Sequence, residues 1–199
     1  PGRHPFWKGI VKNEFKKADL SKIEITEDIS VNLLENNQLK YFVRKFIVAS
    51  NDKALLFVNG TFSKELKSGT HYFWNNAITI EVKTIDTRLQ QVEISGQELL
   101  TKDKAGLRIN FFVRYQVVDI MKALIENKDF EKQLYVAMQL ALRAFVGGLT
   151  LDELLAKKDT VAEAILAEVS NKIEDLGLTI SHAGIRDVIL PGDMKEIMN

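Results

Sequence analysis

The run from Leu107 to Val117 constrains the fold more than any other stretch. Leu107, Ile109, Phe111, Val113, Tyr115 and Val117 alternate with Arg108, Asn110, Arg114 and Gln116. Because successive side chains on a strand point to opposite faces, this pattern predicts a strand with one apolar face and one largely polar face. The same period of two runs from Val43 to Val118. Phe46 and Val48 lead into the turn pair Asn51-Asp52, and Ala54 to Val58 follows as a buried apolar run. Asn59-Gly60 and Ser68-Gly69 read as turns, the first a strong hairpin signal. Beyond them come His71 to Trp74, then Ile78, Ile80, Val82 and Thr84 alternating with Thr79, Glu81 and Lys83. This half predicts antiparallel sheet joined by short turns.

Near Asp119 the period becomes helical. Asp119 is placed to cap a short helix carrying Met121, Leu124 and Ile125, and Leu134 to Val146 predicts an apolar helix stopped by Gly147-Gly148. Thr150 to Glu153 and Thr160 to Glu163 both read as capping boxes. The second opens a helix with Val161, Ile165, Val169 and Ile173 on one stripe, stopped at Gly177. A strand follows from Leu178 to Leu190, interrupted near His182 to Gly184. Pro191-Gly192 breaks it, and Asp193 starts another helix. Sheet first, then helix, helix and strand, is α+β organisation.

A gapless shift of 67 positions lays Gly2, His4, Phe6 and Trp7 on Gly69, His71, Phe73 and Trp74, and continues with Val11 on Ile78, Phe15 on Val82, Asp19 on Asp86 and Leu33 on Leu100. Both tryptophans of the chain lie inside this repeat. It predicts a partial, β-rich duplication over residues 1–47.

Composition narrows function chiefly by exclusion. With 27 basic and 27 acidic side chains the formal net charge is zero, which gives no electrostatic reason for a nucleic-acid partner. The absence of cysteine removes disulfides, thiol catalysis and cysteine-ligated metals. The nearest candidate for a transmembrane helix, Tyr41 to Val58, is broken by Arg44, Lys45, Asp52 and Lys53 and is too polar to cross a bilayer. The chain begins at Pro1 without Met and reads as a segment cut from a longer protein.

Candidate chemistry is sparse. His4, His71 and His182 fit no metal-ligand spacing, and His4 and His71 occupy one repeat position, which points to a structural place. Asp86 and Arg88 share a strand face and are placed to pair. Asp103 and Asp187 each lie near a basic residue. Paired carboxylates serve acid–base catalysis, yet exposed ion pairs at strand ends are far commoner. Ser95-Gly96 lacks the nucleophile-elbow pattern, and no phosphate-loop pattern occurs. The sequence therefore assigns no catalytic, cofactor-binding or metal residue. Phe6-Trp7 and Phe73-Trp74 read as core of the β-layer, with a bilayer-interface role for Trp7 or Trp74 as the alternative. The helix over Leu134 to Val146 is apolar on more than one face, at Leu134, Ala137, Met138, Leu140, Ala141, Leu142, Phe145 and Val146; most of this reads as core, and some excess as a subunit contact.

From Ile94-Ser-Gly-Gln-Glu-Leu-Leu-Thr-Lys-Asp-Lys104 through Leu107-Arg-Ile-Asn-Phe-Phe-Val-Arg-Tyr-Gln-Val-Val-Asp119 the chain resembles the central signature of the SPFH (band-seven) family, which includes stomatin and prohibitin, most closely its bacterial slipins. The resemblance continues through Ala141-Leu-Arg143, Thr150 to Leu155, Leu176-Gly-Leu178, Gly184 to Val188 and Leu190-Pro-Gly-Asp-Met194. Gly69 to Trp74 and Ile85 to Arg88 match the family's opening. The similarity runs from Val48 to the end, and residues 1–47 depart from it.

The resemblance implies an elongated wedge: a β-rich subdomain at 48–118, a helix-rich α/β subdomain at 119–192 and the start of a coiled coil at 193–199. It also implies an upstream hydrophobic anchor, a place at the cell membrane, and a non-enzymatic scaffold that homo-oligomerises and organises membrane proteins or microdomains. In such families the β-rich part lies against lipid and the helices contact neighbouring subunits. The alternative it offers is an adaptor or regulator of a membrane-bound protease. Without anchor and coiled coil, this segment alone is expected to be a monomer or weak dimer.

Overall fold

Asn59 and Gly60 both take positive φ, 50° and 77°, which suits the tight turns whose twist matches that of paired strands. They fold β2 (Asp52–Val58) back on β3 (Thr61–Leu66) with Val58 opposite Thr61 and Ala54 opposite Leu66. The computed structural model describes residues 16–157 and 160–190, in two compact units. One comprises the residues up to 50 together with 54–82; the other comprises 51–53 and the residues from 83 onward.

In the first unit, β1 (Val43–Val48) pairs antiparallel not with its sequence neighbour but with β4 (Gly69–Trp74), across the intervening hairpin. β5 (Ile80–Asp86) lies beside β2, giving the order β3-β2-β5. The predicted antiparallel half thus sorts into small separate sheets. Val48, Ala54, Leu56, Leu66 and Phe73 form the core of this unit, with Ile23, Phe46, Val58, Ile80 and Val82 packed against it. Before β1 come a single helical turn, α1 (Val31–Leu34), and a 3₁₀ turn at Lys40–Phe42. Lys16 to Asp19, aligned by the repeat with the end of β5, form no strand. Of the segment before α1, Glu24 makes a lone bridge to Phe73. Gly2, His4, Phe6, Trp7, Val11 and Phe15 lie outside the described residues, as do the break at Pro191-Gly192 and the helix expected from Asp193.

The second unit is built on β7 (Gly106–Val117), the centre of the antiparallel sheet β6-β7-β8. All six alternating apolar residues from Leu107 to Val117 are buried, as the period required. The partner β6 (Gln90–Leu100), unannounced as a strand by its mixed polarity, carries a bulge at Ser95-Gly96, where Gly96 has φ +64° and its amide donates to Asn110 Oδ1 at 2.8 Å. β8 (Leu178–Ile189) is one strand. Its irregularities fall at Ser181 and Arg186, which are skipped in the register, while His182, Ala183 and Gly184 stay paired with β7. The expected interruption at His182 to Gly184 is therefore displaced to either side.

Helices cover this sheet. α2 (Phe130–Gly147) starts a turn earlier than its apolar run, because Asp129 caps it by accepting from the Lys132 amide at 3.2 Å. α3 (Leu151–Ala156) has the expected capping box: Thr150 Oγ1 accepts from the Glu153 amide, and Glu153 Oε2 from the Thr150 amide. α4 (Val161–Asp175) buries Val161, Ile165, Val169 and Ile173 as read. Its expected capping box does not form. Thr160 is already helical in its backbone, and its hydroxyl donates to the Lys157 carbonyl at 3.0 Å. Asp119 does cap a short turn, accepting from the Met121 and Lys122 amides; the turn is a π-helix over Lys122–Glu126. Gly177, with φ +73°, ends α4 and accepts from the amides of both Val118 and Asp119.

Candidate interaction surface

The three carboxylates singled out by sequence go to separate partners. Asp86 is held by Arg88, whose Nε lies 2.9 and 3.0 Å from its two oxygens, and this guanidinium keeps the carboxyl below its ordinary range. Asp187 lies 3.5 Å from Asn110 Nδ2 and 3.8 Å from Arg186 Nε. Asp103 is taken up differently from the expectation of a basic neighbour. Its Oδ1 accepts from the Thr101 hydroxyl at 2.5 Å and from the Leu151 amide at 3.2 Å. These bonds, led by the hydroxyl, lower its pKa and fasten the turn between β6 and β7 to the start of α3. Nothing brings the three together, so they read as fasteners.

Ser95 is exposed at the β6 bulge. His71 Nε2 is 2.7 Å from the Lys67 carbonyl, and His182 packs against the Phe112 ring at 5.5 Å. His4 and Trp7 lie outside the described residues. Phe73 and Trp74 are buried at 3% and 2% exposure, so the aromatic pair of β4 fills the interior and Trp74 is not available to a bilayer surface. Tyr115, also buried, has its hydroxyl 2.9 Å from Glu131 Oε1; burial first, then that carboxylate, pushes its pKa up.

What the fold leaves uncovered is more informative. Tyr41 is 72% exposed, Ile47 68% and Phe42 47%, in a stretch that also carries Lys40 and Lys45. In the same unit Glu35 accepts from Lys45 Nζ at 2.5 Å and from the Tyr72 hydroxyl at 2.7 Å, pinning the end of α1 to β1 and β4. In the second unit, α2 leaves Val136 and Leu140 exposed between Lys132 and Arg143. The sequence counted Leu140 among the apolar residues of this helix without separating it from the core. Val136 escaped because the apolar run around it reads as continuous core, and only the packing of α2 shows which side faces out.

A family model described as SPFH domain / Band 7 family matches residues 46–199, more than three quarters of the chain. The chain belongs to this family. Its α+β arrangement of antiparallel sheets with covering helices is the SPFH fold. Among similar proteins, an uncharacterized protein of Methanocaldococcus jannaschii is 29% identical over 160 residues, covering 79% of each chain. A stomatin homolog of Pyrococcus horikoshii is 31% identical over 57% of this chain and 43% of its own length. Human stomatin-like protein 3 is 25% identical over 57% of this chain and 39% of its own. The chain thus spans less than half of the two stomatin-named relatives. These relatives are archaeal and human, and the bacterial affinity expected from the resemblance has no counterpart among them. SPFH membership supports a membrane-associated, generally non-enzymatic role; no helix among the described residues is long and apolar enough to cross a membrane.

Proposed function

We propose that this SPFH domain is the folded part of a non-enzymatic scaffold that homo-oligomerises at the cell membrane and organises membrane proteins or microdomains there. The observation that carries the reading is the contrast between its ionisable groups and its surface. Asp86, Asp103 and Asp187, the carboxylates with catalytic potential, are each committed to local fastening, while apolar side chains stand exposed on both units: Tyr41, Phe42 and Ile47 on one, Val136 and Leu140 on the other. Amphipathic aromatics beside lysines suit the headgroup region of a bilayer, so the β-rich subdomain, 48–118 with its preceding residues, is the lipid-facing part. The helix-rich subdomain, 119–192, is the part that meets other subunits, and residues from 193 lead into a coiled coil.

A second reading, adaptor or regulator of a membrane-bound protease, is favoured by the sheet order β6-β7-β8, whose outer strands are edges to which an extended segment can add. One experiment addresses both: extract the full-length protein from membranes in mild detergent, and determine its mass, shape and companions by electron microscopy and mass spectrometry. A large closed or arrayed homo-oligomer supports the scaffold. A stoichiometric protease supports the adaptor. A small species absent from the membrane fraction overturns both.

A further inference from the structure

The two long helices of the second unit turn faces of opposite character to the outside. On α2, Lys132, Val136, Leu140 and Arg143 recur at the spacing of three and four that shares one helix face, and all four are exposed. Val136 and Leu140 line a groove whose rim also carries Lys128 and Lys172. Asp129, on the same rim, is turned to the first turn of α2 as its cap. On α4, opposite its buried stripe, the exposed face is Glu163, Ala164, Ala167, Ser170, Asn171 and Glu174. Its charges are acidic and its other side chains small. The chain as a whole has zero formal net charge, so attraction between copies depends on how charge is sorted between such faces.

We propose that the outward face of α2 is the docking surface for the outward face of α4 on a second copy of this chain. This rests on the scaffold reading and specifies the contact. Lys132 and Arg143 flank the apolar pair Val136 and Leu140; Glu163 and Glu174 flank Ala167. Small residues on α4 let two helix axes come within the roughly 8–10 Å of ordinary helix packing, so that Leu140 settles beside Ala167 while the charges pair at the two ends. The two faces differ, so the contact is heterologous. Each copy donates one face and receives on the other, and the assembly grows into a ring or a row instead of closing as a two-fold dimer. A helix the length of α4, about 22 Å, offers a small interface, weak between free domains and strengthened when copies are held together on a membrane.

The chain contains no cysteine, so once any cysteine elsewhere in the full-length protein is changed to serine, introduced cysteines report the contact cleanly. Full-length copies carrying Leu140→Cys are co-expressed with differently tagged copies carrying Ala167→Cys, and the membranes are oxidised. A disulfide between the two variants is expected, with neither variant cross-linking to itself. In parallel, Lys132→Glu with Arg143→Glu, or Glu163→Lys with Glu174→Lys, is expected to raise the concentration needed for assembly about tenfold. All four reversals in one chain restore it. Circular dichroism checks that each variant is folded. A wild type that assembles while reversals change nothing, or Leu140→Cys copies that cross-link to each other, overturns this interface and leaves the scaffold standing. A wild type that never assembles overturns the scaffold reading itself.

Discussion

A methyl group on Gly177 would lie 2.3 Å from the Asp119 carbonyl oxygen and 2.9 Å from the Lys122 side chain, on a residue whose φ of +73° already disfavours any side chain. Gly177→Ala is therefore expected to lose more than the roughly 1–3 kcal/mol of a strained backbone alone, read from the urea midpoint. Gly96→Ala, with φ +64° but open space around it, is expected to lose only about 1–2 kcal/mol; equal losses would mean the crowding at Gly177 does not matter. Asp103 makes a claim about pH. Its carboxyl is held below the ordinary range, so its ionised form stabilises the fold above about pH 4 and that contribution is lost as the pH falls through the lowered value. Asp103→Asn should be less stable than wild type near neutrality, with the gap closing in acid. A gap that persists unchanged in acid would remove the charge from the explanation.

Two threonines with the same sequence signature separate at the level of elements. Thr150→Ala deletes a formed cap and should cost about 1 kcal/mol, whereas Thr160→Ala, which removes only a bond to the Lys157 carbonyl, should stay within about 0.5 kcal/mol. Chemical denaturation of the two variants decides it. The contrast also marks what was legible in the chain. Periodicity located β7, α2 and α4, and turn chemistry located the Asn59-Gly60 hairpin, because these depend on neighbours in sequence. The pairing of β1 with β4 across a hairpin, and the place of β6, depend on distant partners and left no local trace. The repeat is legible in letters, but Asp19 lies outside any strand where Asp86 ends β5, and Leu33 lies in a helical turn where Leu100 ends β6. Of the surface, the apolar excess of α2 could be read. The acidic, small-residue face of α4 left no such trace, because only the packing of the helix shows which side of it faces out.

For the whole molecule, the lipid-facing reading predicts that Tyr41→Glu with Phe42→Glu weakens flotation with anionic vesicles by about tenfold while leaving the fold intact. Unchanged flotation would move the membrane contact elsewhere. The topology of the second unit also sets the timing of synthesis. Arg108 pairs with Ile189 and Val117 with Leu178, so β7 leaves the ribosome 61 or more residues ahead of the strand that completes its sheet. At roughly 5–20 residues per second the wait lasts seconds. The first unit, in which β1 pairs with β4 from Val43 to Trp74, joins strands closer in sequence and closes earlier. Because α4 packs on β8, no nascent chain has its helical faces fixed until Leu178–Ile189 has been made. Contact between copies through these helices is therefore expected only after that strand has been made.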